Sequence, residues 1–224
     1  MHNALAGKRV LITQATAFMG PVLCEVFAEQ GAQVVRSEAP LADPAAAQAV
    51  AAQAGAIDVL VANLALPAPG TPVLEVDEQE WRDVFAALVD PLPRLVQAVT
   101  PGMISRGGGQ ILVIGSASAL RGMKRASTYS AARGAQLAYV QAAGVELAPR
   151  NIQLNAIAQN FVDNPTYFPP EVQANPRFQE RLAREVPLGR LVAAREDALF
   201  AAYLCSDAAR CFVGQVFPVC GGWV

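Results

Sequence analysis

A chain of 224 residues suits one large domain with a substantial core and is short for two. Its composition, 53% hydrophobic and 16% charged, excludes a disordered chain, and a net charge of -2 without a basic block argues against nucleic acid as a partner. No window approaches the ~20 apolar residues of a membrane span. The opening "MHNALAGKRVLITQ" carries no signal-peptide run, so the expectation is a cytoplasmic protein with no membrane partner.

In chain order, "KRVLIT" (Lys8 to Thr13) reads as a strand and "PVLCEVFAEQGAQ" as a helix closed by Gly31. "QVVRS" is a second strand, Asp43 to Gly55 an Ala-rich helix, and "DVLVANLA" (Asp58 to Ala65) a third strand. From Asp77 to Ile104 an acidic start opens a helical stretch that Pro91 and Pro93 interrupt. "GQILVIGSAS" (Gly109 to Ser118) is a strand, Thr128 to Ala148 a long helix, and "IQLNAIAQN" a strand. Asn164 to Pro176 reads as a Pro-rich loop. Phe178 to Val186 and Arg195 to Ser206 are helical, and "GQVFPVCGGW" is a last strand. Strands of continuous Val, Ile and Leu alternating with helices indicate a parallel sheet covered on both faces. The fold class is therefore a doubly wound, Rossmann-like α/β domain spanning residues 1–224. Its ligand site belongs beyond the carboxyl ends of the strands.

Several residues point to no special chemistry. Cys24, Cys205, Cys211 and Cys220 are scattered, form no CxxC, and read as free buried thiols. His2 is the one histidine and sits near the terminus, which argues against a His-based triad or a zinc site. Trp81 reads as core, Trp223 as a tail or interface residue, and Gly134 and Gly144 as close-packing sites in the long helix.

The informative residues lie after the strands. Ser116 falls at the end of one strand, Tyr129 follows it by thirteen positions (129 − 116), and Arg133 stands one helical turn beyond Tyr129. Residues four apart on a helix are neighbours. A phenol titrates near ~10, and a cation within roughly 4–6 Å favours its phenolate. Tyr129 with Arg133 thus reads as an activated base. Ser118 offers an alternative hydroxyl to Ser116.

Over nearly its whole length the sequence resembles the short-chain dehydrogenase/reductases, whose pattern is a serine followed by Tyr-x-x-x-Lys; here Arg133 replaces the lysine. Their Thr-Gly-x-x-x-Gly-x-Gly loop becomes "TQATAFMG", with Gln14 and Phe18 where glycines belong. Arg36 and Ser37, not an acidic residue, end the second strand. About twenty residues separate that strand from Asp58, too few for the usual helix, strand and helix. Gln159 and Asn160 replace the Pro-Gly of the Asn-x-x-x-Pro-Gly loop. Serine, tyrosine and arginine without a dinucleotide fingerprint resemble the halohydrin dehalogenases, the B-type members in particular.

That resemblance implies an enzyme without a redox cofactor. Ser116 and Tyr129 bind the hydroxyl of a vicinal halohydrin, Tyr129 takes its proton, and the alkoxide expels halide to leave an epoxide. A released halide needs a dry pocket with a few donors. The loop after the Ile152 strand offers the Asn160 amide and the N–H groups of Phe161 and Val162, with Phe18 and Phe161 walling the ion. Tyr167 and Phe168 are candidate walls on the substrate side. The resemblance also implies a homotetramer packed through the helices Asp77 to Met103 and Thr128 to Ala148, with Leu137, Val140 and Val145 as spare apolar positions. Two other readings stay open: a nicotinamide-dependent oxidoreductase and a non-catalytic relic of the fold.

Overall fold

The computed structural model describes residues 3–224; His2 lies outside them. The elements run β1 (Arg9–Thr13), α1 (Gly20–Glu29), β2 (Gln33–Ser37), α2 (Ala46–Ala54), β3 (Val59–Asn63), α3 (Glu78–Leu88) and α4 (Pro91–Ser105). They continue with β4 (Gly109–Ser116), α5 (Ser127–Leu147), β5 (Ile152–Gln159), α6 (Pro170–Gln173), α7 (Pro176–Glu185), α8 (Ala194–Leu204) and β6 (Val216–Val219). The six strands form one sheet in the order β2-β1-β3-β4-β5-β6, and every pairing is parallel.

Alternation along each strand sends neighbouring side chains to opposite faces. Leu11, Leu60, Ile111 and Val113 join one buried cluster with residues of α2, α4 and α5. Val10, Ile12, Val59, Val61, Leu112 and Ile114 join another with residues of α1 and α8. Every residue of β3 and β4 is buried, whereas the edge strand β2 is half-exposed. Each fully buried Leu, Ile or Val contributes about 1.5–3 kcal/mol, so the central strands are the rigid part of the molecule.

The chain moves from β1 outward to β2, then returns to place β3 on the other side of β1. A crevice opens at such a reversal, beyond the carboxyl ends of the strands. Four segments converge there: Gln14–Gly20 after β1, Leu64–Ala68 after β3, Ser116 at the end of β4, and Asn160–Val162 after β5. One helix, α2, bridges β2 and β3.

Local details depart from the sequence reading. The helical stretch from Asp77 is two helices. Asp77 caps α3 by accepting from Glu80 N–H at 2.8 Å, and α4 starts afresh with Pro91 in its first turn, where a missing N–H costs nothing. The strand expected to reach Ser118 stops at Ser116, and Ala117–Ala119 form a single 3-10 turn. The last strand is only Val216–Val219, and the Pro-rich segment contains the short helix α6. Trp81 is not core: it is 42% exposed and stacks on Phe85 at 4.6 Å. Trp223 is buried instead, and Cys211 is the one exposed thiol of the four. Gly144 is a close-packing site, since a Cβ there would lie 2.6 Å from Gly214 Cα, but a Cβ at Gly134 would meet nothing within 4 Å. Leu137 and Val140 are buried in the protomer's own core, which leaves Val145, 68% exposed, as the spare apolar position of α5. Among the described residues no helix is long and apolar enough to cross a membrane.

Candidate active site

A cavity of ≈ 300 Å³ opens at the crevice. Ser116, Tyr129, Arg133, Phe18, Asn160, Phe161, Val162, Tyr167 and Phe168, all singled out in the sequence, lie in its wall. Ser118 does not. It sits buried behind Ser116, sharing a hydroxyl hydrogen bond of 2.9 Å with it and donating its backbone N–H to Ser116 Oγ at 3.2 Å. Because the strand ends at Ser116 and the chain turns there, strand alternation does not carry the Ser118 hydroxyl onto the same face. Ser118 instead orients Ser116.

Tyr129 lies in the first turn of α5, buried against Val84, Leu88 and Ala132. Arg133, one turn on, is 4% exposed, and its Cζ stands 5.0 Å from the Tyr129 ring centroid. Arg133 Nη1 donates to Leu64 O at 2.8 Å, Ile114 O at 3.2 Å and Gln136 Oε1 at 2.9 Å. These oxygens solvate the guanidinium without neutralising it, so its positive field acts on the phenol. All three acceptors lie on Nη1, which leaves the rest of the guanidinium plane beside the ring; a compact lysine ammonium cannot divide its contacts in this way.

Burial pushes the Tyr129 phenol up, but the Arg133 charge and hydrogen bonds involving Arg133, Tyr167 and Ser116 outweigh it and hold it below its ordinary pKa. Tyr167 goes the other way. Burial, then the adjacent Tyr129 charge, push its phenol well up. Its hydroxyl donates to Leu66 O at 3.2 Å and accepts from Ala68 N–H at 3.1 Å. Of the two phenols, Tyr129 is the one suited to carry charge, and Tyr167 keeps its proton.

The loop after β1 keeps a backbone shape that glycine would favour. Gln14 and Phe18 stand at φ 44° and φ 50°, in the left-handed region. Such positions cost of order 1–3 kcal/mol and persist only where surroundings hold them. Here Asn63 Nδ2 donates to Gln14 O at 3.0 Å and Ala17 O at 3.1 Å, while Gln14 Oε1 accepts from Ala65 N–H at 2.9 Å. Gly20 cannot be replaced, since a Cβ there would lie 2.3 Å from Gln14 O. The Phe18 ring enters the cavity and stands 5.8 Å from the Tyr167 ring.

The loop after β5 differs from expectation at one atom. Phe161 N–H, expected to face an anion, donates to Asn160 Oδ1 at 2.9 Å. Phe161 has φ 52°, and this left-handed turn folds its N–H back onto the neighbouring side chain. The Asn160 Nδ2 group is buried with no partner. Val162 forms an isolated parallel bridge with Val192, in which Phe161 O accepts from Val192 N–H and Asp163 N–H donates to Val192 O, both at 2.9 Å. In a parallel bridge the flanking residues make the bonds, so Val162 N–H faces the other way. Beneath this loop Gln159 Nε2 donates to Asp197 Oδ2 at 2.6 Å. Asp197 is fully buried, and burial pushes its carboxyl up to about 7 against the Gln159 hydrogen bond. Phe168 stacks on Phe161, with centroids 6.1 Å apart.

Four features escaped the sequence reading: the Gln14 strut, the Tyr167 hydroxyl, Asp197, and Arg181 in the cavity wall. Gln14 carried a signal, since it occupies a position that demands positive φ. The others are contacts between distant segments, invisible to local spacing.

A doubly wound sheet with a serine ending one strand, and a tyrosine and a cation one turn apart on the next helix, defines a class of catalytic α/β domains. Residues 4–224 match the family model described as enoyl-(acyl carrier protein) reductase, and the chain belongs to the short-chain dehydrogenase/reductase family. A solved structure described as a "dehalogenation enzyme" shares 32% identity, covers 99% of this chain and 100% of its own, and superposes with a TM-score of 0.92. A 2-keto-3-deoxy-L-fuconate dehydrogenase of Xanthomonas campestris is 30% identical over 99% of this chain and 82% of its own length. A cis-4-hydroxycyclohexanecarboxylate dehydrogenase of Sinomonas cyclohexanicum is 29% identical over 100% of this chain and 99% of its own.

Proposed function

We propose that this protein is a halohydrin dehalogenase of the B-type: a lyase that converts vicinal halohydrins to epoxides and halide, and runs the ring opening in reverse with anionic nucleophiles. Ser116 and Tyr129 hold the substrate hydroxyl. The Tyr129 phenolate, favoured by Arg133, takes its proton. The oxygen attacks the neighbouring carbon from behind, forming one C–O bond as the C–halogen bond breaks and the electron pair leaves with the halide. Asn160 Nδ2 and Val162 N–H are the donors for that ion, and Phe161 N–H joins them when the Asn160 side chain turns. Phe18 and Phe161 wall the ion, and Tyr167 and Phe168 bound the substrate side. No electrons are gained or lost in the step.

The observation that carries this reading is the Phe18 ring inside the cavity that Ser116, Tyr129 and Arg133 share. The family's nicotinamide dinucleotide does not fit these residues. Side chains replace both loop glycines, Gln14 is tied to Ala65, and Glu38, just after β2, accepts from Thr16 at 2.7 Å across the place an adenosine would need. A chain with proton-transfer residues and no room for a dinucleotide suits elimination rather than hydride transfer.

The test is chloride or bromide release from a small vicinal halohydrin without nicotinamide. Cofactor-free release is expected; no release overturns the reading. The names of the two dehydrogenase relatives favour a nicotinamide-dependent oxidoreductase instead, and a fluorescence titration showing tight NADH or NADPH binding would select it. A relic would show neither. We also propose a homotetramer, supported by apolar residues exposed on and just before the packed pair α3 and α5: Val73, Leu74, Trp81 and Val145. Light scattering should give the mass of four chains; a monomer at micromolar concentration refutes it.

A further inference from the structure

We propose that Arg181 is the residue that recruits and releases the small monovalent anion of this site, passing it between solvent and the Asn160–Val162 loop. The proposal rests on the dehalogenase reading and adds to it a specificity for anions at the mouth. The wall of the cavity contains no carboxylate, and its charged residues are Arg133 and Arg181. Arg133 is buried and bound to carbonyl and amide oxygens, so its charge serves Tyr129. Arg181 differs on each count.

Its side chain is 45% exposed, and its Cζ lies 5.4 Å from the centroid of the Phe161 ring, which stands in the wall of the anion pocket. Arg181 Nε donates to Glu185 Oε2 at 3.0 Å, which fixes the plane of the guanidinium. The Nη groups make no hydrogen bond among the described residues. Arg184 also bonds to Glu185, at 3.1 Å, so two arginines share one carboxylate and leave one net positive charge beside the mouth. The anion pocket lies within a Debye length, ~8 Å, of such a charge, and positive charge at an apolar cleft raises the local concentration of anions. An ordinary exposed Arg-Glu pair would add little to stability and nothing to anion traffic.

The experiment is epoxide ring opening by azide, with azide varied at several ionic strengths, for the wild type, Arg181→Met, Arg181→Lys and Arg181→Glu. The azide KM should rise ~5–10-fold in Arg181→Met and further in Arg181→Glu, with kcat much less affected, as expected for lost steering. Arg181→Lys should stay within about twofold of wild type, because charge rather than fork geometry is required. Added salt should raise the wild-type KM and leave that of Arg181→Met nearly flat. An unchanged KM in Arg181→Met, or a lysine variant no better than the methionine one, overturns the proposal. Bromide binding, read by bromine NMR line broadening, separates the two ideas. A wild type that broadens bromide and loses this in Arg181→Met, yet never turns over a halohydrin, keeps the anion site and sinks the dehalogenase reading. Turnover with equal broadening in both proteins does the reverse.

Discussion

The two ends of the cavity are built differently. The proposed proton end, Ser116, Tyr129 and Arg133, stands on β4 and α5, in the most buried part of the sheet, and Arg133 Nη1 is bound to three oxygens. The proposed anion end, Asn160 to Val162, is loop: Phe161 has a left-handed backbone, Asn160 Nδ2 has no partner, and Asp197 beneath it has an unpartnered Oδ1. A base must hold one geometry and one charge state, which buried regular structure provides. A leaving group must be received and then released, which favours donors that are held but not saturated. The two ends should therefore respond separately to mutation.

The strongest break is at the proton end. Tyr129→Phe removes only a hydroxyl from a side chain packed on Val84, Leu88 and Ala132. Halide release should fall ~10²–10⁴-fold, the contribution of a positioned base, with the circular dichroism and melting curve retained. A variant keeping a tenth of the rate would remove Tyr129 from the role of base.

Next comes Arg133→Lys. The charge stays, but the simultaneous contacts to Leu64 O, Ile114 O and Gln136 Oε1 are lost. Activity should drop ~10²-fold, the cost of a misplacement of about 1 Å. Arg133 lowers the Tyr129 pKa, so a displaced cation lets it rise, and the increase of rate with pH should move to higher pH. An unmoved pH profile would take Arg133 out of tyrosine tuning.

The proton end was also the more legible in the sequence. Helical spacing places Arg133 beside Tyr129, the strand end places Ser116 at the crevice, and the resemblance to the family's serine and Tyr-x-x-x-Lys pattern is what joins the three. The doubly wound class was readable because the central strands are continuously apolar. The anion end was readable as a location but not as a set of donors. Whether Phe161 N–H is free depends on its φ, and no periodicity reveals that Asn160 Oδ1 captures it. The exposure of Trp81 has a similar cause: an apolar residue on an amphipathic helix reads as core until the helix position is known. Asp197 and Arg181 are charged residues on helices, which local pattern assigns to solvent; their roles come from contacts with Gln159 and Phe161.

At the anion end, Asn160→Asp replaces a buried, unpartnered amide donor with an acceptor. The halide inhibition constant should rise at least ~10-fold, the lower end of what one hydrogen bond to a charged group contributes. The pH dependence should stay that of the wild type, because Tyr129 is tuned by Arg133, Tyr167 and Ser116. Halide affinity and pH profile moving together would show that the two ends are not separable.

The smallest effect on rate is expected at Asp197, which lies outside the cavity wall yet holds Gln159 below the anion loop. Burial raises its carboxyl to about 7 in the fold, against ~3.9 for an exposed aspartate. Between these values the folded protein binds a proton that the unfolded chain does not. Its stabilising contribution is full below pH ~4 and is lost as pH rises through about 7, a few kcal/mol at most. Asp197→Asn cannot ionise, and its amide oxygen can still accept from Gln159 Nε2. Halide release should change by no more than ~2-fold, since the loop keeps its support. The melting temperature should be similar to wild type at pH 4 and several degrees higher at pH 8, where the wild type must bury a charge. Equal differences at both pH values would mean that Asp197 is ionised throughout, held by a group other than Gln159. The support under the anion loop would then be as fixed in charge as Arg133, and the contrast between the two ends would rest on backbone conformation alone.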